Sequence, residues 1–179
     1  MCNCVQIFAE KPADYNQFVK HVVTNAPNSV CEDCNLSLTL TPSNLVNNTE
    51  IIARIAFHPF HYDNKTKTLT EKVVSDAFDK GLSGFRKQLT SDADITKKAL
   101  LLKTEKREPK EIITALAEAI RSISDSQDRK AFAIYNTDHP NNIGHVDVCV
   151  ANIENMTGSK KTDLQDELFQ KFSIERQLT

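Results

Sequence analysis

Glycine is scarce in this chain, with four residues in 179, at positions 81, 84, 144 and 158. A phosphate-cradling loop of the P-loop or Rossmann kind needs closely spaced glycines to bring backbone N–H groups against the ligand, and four scattered ones argue against either. Charge of one sign is also lacking. Lys and Arg number 22 against 24 Asp and Glu, for a formal charge of −2 and a pI near 6.2. No global field draws in a polyanion, so nonspecific nucleic-acid binding is not expected. No apolar window approaches the length needed to cross a bilayer, and the opening MCNCVQIFAEKPADY has neither a basic n-region nor a long apolar run. These absences predict a cytoplasmic protein with no membrane partner. No cofactor fingerprint or complete catalytic signature is present, so the sequence identifies no reaction.

The composition that is there, 40% hydrophobic and 26% charged over 179 residues, suffices for one substantial core. Alternating or β-branched runs predict strands at 35–41, 51–58, 131–136 and 146–153, with LSGFRKQL from Leu82 as a further short one. Apolar spacing predicts helices at 13–23, 70–80 and 162–173, the last capped by Thr162 or Asp163. Asp92 or Asp94 opens another, through Lys97 to Leu102. Ile112, Ile113, Leu116, Ala119, Ile120 and Ile123 follow helical spacing after Pro109, and the charged run 103–110 reads as solvated. The last few residues read as frayed. The expected fold is a single α+β domain, a mixed or mostly antiparallel sheet covered by helices. Residues 1–48 would form an N-terminal extension packed on a core domain of 49–179.

Within the strand EIIARIAFHP, Ile52, Arg54, Ala56 and His58 share one face, and Ile51, Ala53, Ile55 and Phe57 the other. An arginine inside an apolar strand must be paired, because an unpaired buried charge costs several kcal/mol or more. Arg54 therefore marks an ion-pair network or a binding site. In HPFHYD, His58 and His61 resemble a metal pair with Asp63 as a third ligand.

Four of five cysteines cluster early. Cys2 and Cys4, followed by Cys31 and Cys34, present four thiolates in the paired form that a tetrahedral zinc takes, which makes zinc the candidate metal. The alternative is four reduced, partly buried thiols. A redox role for CEDC is disfavoured, because the strand-like NLSLTLT after it supplies no helix N-terminus to lower a thiol pKa. Cys149, in the apolar run VDVCVANI, reads as a small core residue.

The order of Arg54 and His58-Pro59 on a strand, then Ala77-Phe78, Leu82-Ser83, Ile120-Arg121-Ser122-Ile123 and Asn142-x-x-His145-x-Asp147 resembles a loose group of small uncharacterised bacterial proteins. That group shows an arginine-bearing strand, an Ala-Phe before Leu-Ser-Val, and a late Asn-Pro-Ala-His. The resemblance spans roughly residues 50 to 155 and implies a layout, not an activity. Gly84 stands where the group has valine, and Ile143-Gly144 replaces Pro-Ala. It also implies strand character within 112–123, against the helical spacing.

With that layout, His145, Asp147 and Cys149 share one strand face and Val146, Val148 and Val150 the other. If the valine face meets the core, the His145 face is open or covered by something polar. Were this strand near the Arg54 strand, Arg54, His58, His145 and Asp147 would meet, joined by Ser83 and Arg86. The expected ligand-binding residues are Arg54, Arg86, Ser83 and Asn142, with arginine forks suited to phosphate or carboxylate. His145, His58 and Asp147 are the expected catalytic set, histidines moving protons and the aspartate orienting one of them. The functional expectation is an accessory protein binding an anionic small molecule or a protein partner. The alternatives are an enzyme acting on a phosphate-bearing substrate such as a nucleotide or RNA end, and a zinc-stabilised adaptor.

Overall fold

The computed structural model describes residue 32 and residues 45–137, 142–151 and 156–178. The expected strand at 35–41, the helix at 13–23 and the zinc set Cys2, Cys4, Cys31 and Cys34 lie outside the described residues. So does most of the expected N-terminal extension.

The chain forms a single α+β domain on one six-stranded antiparallel sheet. Its strands are β1 (Ile51–His58), β2 (Leu82–Arg86), β3 (Glu108–Leu116), β4 (Phe132–Asn136), β5 (His145–Val150) and β6 (Ser173–Gln177), in the spatial order β4-β5-β2-β1-β3-β6. A 3₁₀ segment (Glu71–Phe78) and helices α1 (Asp92–Leu101), α2 (Ala117–Arg121) and α3 (Gly158–Gln170) complete the described architecture. No helix among the described residues is long and apolar enough to cross a membrane.

Period-two alternation sorts the core into two faces. Ile52, Ala56, Leu82, Ile113, Phe132, Ile134 and the three valines of β5 pack under Val73, Val74, Ala77 and Phe78 of the 3₁₀ segment and under Leu164 and Leu168 of α3. On the opposite face, Ala53, Ile55, Phe57, Phe85 and Ile112 pack against Ile95 and Ala99 of α1. Ser91 caps α1 by accepting from the Asp94 amide at 3.2 Å, which fixes where that helix starts.

Four elements differ from expectation. Residues 108–116 are a strand rather than a helix, matched to β1 over eight register pairs, and only 117–121 turn helical. Isoleucines at 112 and 113 before Thr114 suit a pleated surface, and the short run of apolar residues fits either period. The predicted helix at 70–80 is 3₁₀ over Glu71–Phe78, and the Thr70 hydroxyl donates to the His61 carbonyl instead of capping it. The C-terminal residues are not frayed: β6 pairs with β3, its polar sequence fitting an exposed edge. The last helix also starts earlier than expected, at Gly158 behind an N-cap at Thr157.

The pairing of β1 with β2 is short. Only Ile52↔Arg86 and Ala53↔Phe85 are in register, after which the strands part, while Leu82, Ser83 and Gly84 stay paired with β5. Gly84 leaves no room for a side chain: an added Cβ would lie 2.9 Å from Cγ2 of Ile52 and 3.1 Å from the Ala53 carbonyl. Beyond that point the gap between β1 and β2 is spanned by a side chain, Arg54.

Candidate functional site

Arg54 is 8% exposed. Its Nε donates to the Val73 carbonyl at 3.0 Å, Nη1 to the Ser83 carbonyl at 3.0 Å and Nη2 to Oδ2 of Asp76 at 3.1 Å. It thereby ties β1 to the 3₁₀ segment and to the start of β2 where main-chain pairing has stopped. Burial lowers its pKa and the Asp76 charge raises it again. The sequence demanded a partner for this charge, and Asp76 is that partner.

Around Arg54 opens a cavity of about 860 Å³. Asp76, Lys72, Ser75 and Lys80 border it from the 3₁₀ segment and its end, Phe57, Phe60 and His61 from the end of β1 and the turn beyond. Ser83 and Phe85 come from β2, Asn142, His145 and Asp147 from β5 and its approach, and Leu102 and Arg107 from the α1–β3 connection. Residues spread over 94 positions of sequence are brought together because β2 bridges β1 to β5 in the sheet.

Of the expected site residues, Arg54, Ser83, Asn142, His145 and Asp147 line this one cavity. Neither His58 nor Arg86 is among its lining residues; Arg86 shares the sheet face of Ile52 and Arg54 but sits at the C-terminal end of β2, beside Glu50. There Arg86 Nε and Nη2 each lie 2.7 Å from an oxygen of Glu50, in a pair almost fully buried. Burial raises the Glu50 pKa, but the Arg86 hydrogen bonds and the Asn47 amide outweigh it and hold the carboxyl below its usual value. Arg86 is thus committed to a structural ion pair. The His58, His61 and Asp63 metal reading is corrected: His61 Nδ1 accepts from the Phe57 amide at 3.0 Å, and Asp63 Oδ1 accepts from Lys65 and Thr66. Among the described residues no group of His, Cys, Asp and Glu has metal-holding geometry.

The β5 wall carries a hydrogen-bond chain that fixes proton positions. Oγ1 of Thr137 lies 2.8 Å from Oδ2 of Asp147 and 2.8 Å from Nδ1 of His145. The hydroxyl has one proton and a carboxylate only accepts, so the proton goes to Asp147 and His145 donates from Nδ1. Ser83 Oγ donates to Oδ1 of Asp147 at 3.2 Å, so the aspartate stands between the serine and the threonine rather than behind the histidine. That order differs from a Ser-His-Asp triad, in which the imidazole receives the serine proton. The face bearing His145, Asp147 and Cys149 is not open: all three are largely buried, and burial pushes the Cys149 thiol pKa up.

The charge around the cavity is positive in a protein that is slightly acidic overall. Arg54, Lys72, Lys80 and Arg107 face Asp76 and Asp147, four cations to two carboxylates. Asp76 is engaged by Arg54 and, at 3.3 Å, by Lys80. Among the described residues neither Arg107 nor Lys72 forms a close ion pair, although the exposed Lys72 acts electrostatically on the Asp63 carboxyl. The Arg107 guanidinium instead lies 3.8 Å from the centroid of the Phe57 ring. The same surroundings act on His61, whose pKa is lowered to about 4 by burial first and then by Arg54, Arg107 and Lys80, against Asp76. His61 is consequently neutral near pH 7, and with Nδ1 accepting, its Nε2 carries the proton.

Arg107, Lys72 and Lys80 were missed by sequence reasoning. Arg107 sits in the run KTEKREPK, whose charges read as solvent-facing, and only the turn closed by the Thr104–Arg107 pairing swings it over Phe57. Compared with known proteins, the chain matches no family model, no curated protein and no solved structure.

Proposed function

We propose that the protein binds a small anionic ligand in the cavity beside Arg54, as a ligand-binding accessory protein. The observation that carries this is Arg107, a cation on the lining of an 860 Å³ cavity that forms no ion pair with a carboxylate among the described residues, with Lys72 beside it on the same lining. Unmatched positive charge facing a recess is stabilised by an incoming phosphate or carboxylate, and low-dielectric walls strengthen the attraction. Arg54 has a different part in this reading. Its donors already serve Val73, Ser83 and Asp76, so it sets the floor of the cavity and contributes its field rather than a fork.

The test is thermal unfolding of the full chain with increasing inorganic pyrophosphate at constant ionic strength. A specific site stabilises by about 2.7 kcal/mol at a hundredfold excess over Kd, and Arg107→Ala should abolish most of that gain. An unchanged melting temperature in wild type refutes the proposal. A second reading, acid–base chemistry on a phosphate-bearing substrate, is favoured by the presence of His145 and Asp147, both within hydrogen-bonding distance of Thr137 Oγ1, on the lining of a cavity that also carries four cations. Under it, His145→Gln retains pyrophosphate binding and loses turnover of a phosphomonoester. Absence of turnover in wild type would leave the binding role alone.

A further inference from the structure

The lining of the cavity is more varied than a simple anion requires. Phe60 is 55% exposed, although it borders the cavity, and no other aromatic ring among the described residues stacks on it. The turn that carries it is pinned by the His61 amide to the Phe57 carbonyl at 3.0 Å and by the Tyr62 amide to the Pro59 carbonyl at 3.2 Å. The phenyl ring is thus held at the rim by the backbone instead of being buried. Leu102, 43% exposed, adds a second apolar group, and Arg107 lies over the ring of Phe57. Aromatic rings and guanidinium planes are the surfaces on which nucleobases stack.

Asp147 points the same way. It repels a bare anion, yet it belongs to the lining together with Asn142 and Ser83. Its two oxygens offer about four acceptor positions, of which Ser83 and Thr137 take one each. A ligand using the rest must bring N–H or O–H donors as well as negative charge. Hydroxyls of a ribose or the edge of a base supply them, while Lys72, Lys80 and Arg107 on other elements meet the charge.

From the rim phenyl, the carboxylate and the unmatched cations together, we infer that the ligand is a nucleoside monophosphate. The inference rests on the anion-binding reading above. Its test is isothermal titration of the full chain with the four common nucleoside 5′-monophosphates and with inorganic phosphate. At least one nucleotide should bind tenfold or more tighter than phosphate. Stacking is worth about 1–3 kcal/mol per base, so Phe60→Ala, a change at an exposed site, should erase roughly tenfold or more of that advantage and leave phosphate binding unchanged. Arg107→Ala should weaken both ligands. Phosphate binding with no preference for any nucleotide overturns the nucleotide inference and keeps the anion site, as does a preference that survives Phe60→Ala. No binding of phosphate or nucleotide overturns both.

Discussion

Replacing Arg54 by alanine separates the architecture of the cavity from its ligand chemistry. The substitution takes a donor from each of the Val73 and Ser83 carbonyls and one cation from Asp76. A buried acceptor left without a donor costs about 1–3 kcal/mol. Asp76 is 30% exposed and retains Lys80, so its loss adds no more than about 1 kcal/mol. The sum is about 2–7 kcal/mol, and at about 2–4 °C per kcal/mol for a chain of this size the melting temperature should fall by roughly 4–28 °C. Arg107→Ala removes only a cation–π contact, worth about 0.5–1 kcal/mol. Urea unfolding monitored by circular dichroism, with equal slopes as the control on compactness, measures both. An Arg54→Ala protein within about 1 kcal/mol of wild type, or an Arg107→Ala protein as destabilised as Arg54→Ala, would refute the division of labour between these arginines.

The same geometry predicts further outcomes. The folded pKa of His61 is about 4 against an ordinary 6.5, so the unfolded chain takes up the proton first. The stability contributed by neutral His61 is complete above pH 6.5 and declines as pH falls from 6.5 towards 4, with a slope approaching about 1.4 kcal/mol per pH unit. Urea midpoints across that window should fall more steeply for wild type than for His61→Gln, and parallel curves would contradict the assignment. Gly84→Val, the residue found in the resembling group, forces a branched side chain against Ile52 and the Ala53 carbonyl. It should cost about 1–3 kcal/mol or more in urea unfolding; a neutral result would show that β1 and β2 are less closely apposed. Glu50→Ala leaves the Arg86 charge buried without its carboxylate and should cost about 3–5 kcal/mol, with recovery in the Glu50→Ala, Arg86→Met double variant as the check on cause.

The parts of the fold legible in the sequence are those where local pattern and tertiary environment agree. The alternation of β1 and β5 sorted their faces correctly, and Asp92 or Asp94 marked the start of α1, whose cap is the preceding Ser91. β3 misled because Ile112, Ile113 and Leu116 satisfy helical spacing while strand pairing with β1 decides the conformation. β6 was invisible because an edge strand needs no apolar face, and SIERQ has one isoleucine that remains 53% exposed. In the site, the need to pair Arg54 was readable, but its partner was not, since Asp76 is indistinguishable in sequence from any helix-surface carboxylate. Arg86 and Arg54 look alike in their strands and share one sheet face; which one reaches the cavity depends on its position along the sheet, Arg86 lying beside Glu50 and Arg54 where β1 and β2 part. Arg107 had no local signal, because its position over Phe57 arises from the turn between α1 and β3.

The most direct test of the central claim is a crystal structure of the protein soaked in tungstate, a tetrahedral anion whose anomalous scattering locates it without assumptions. The account predicts a peak inside the cavity within contact distance of the Arg107 guanidinium and the Lys72 or Lys80 ammonium, absent from Arg107→Ala crystals. A peak confined to other surface lysines, with the cavity beside Arg54 empty at saturating tungstate, would contradict it.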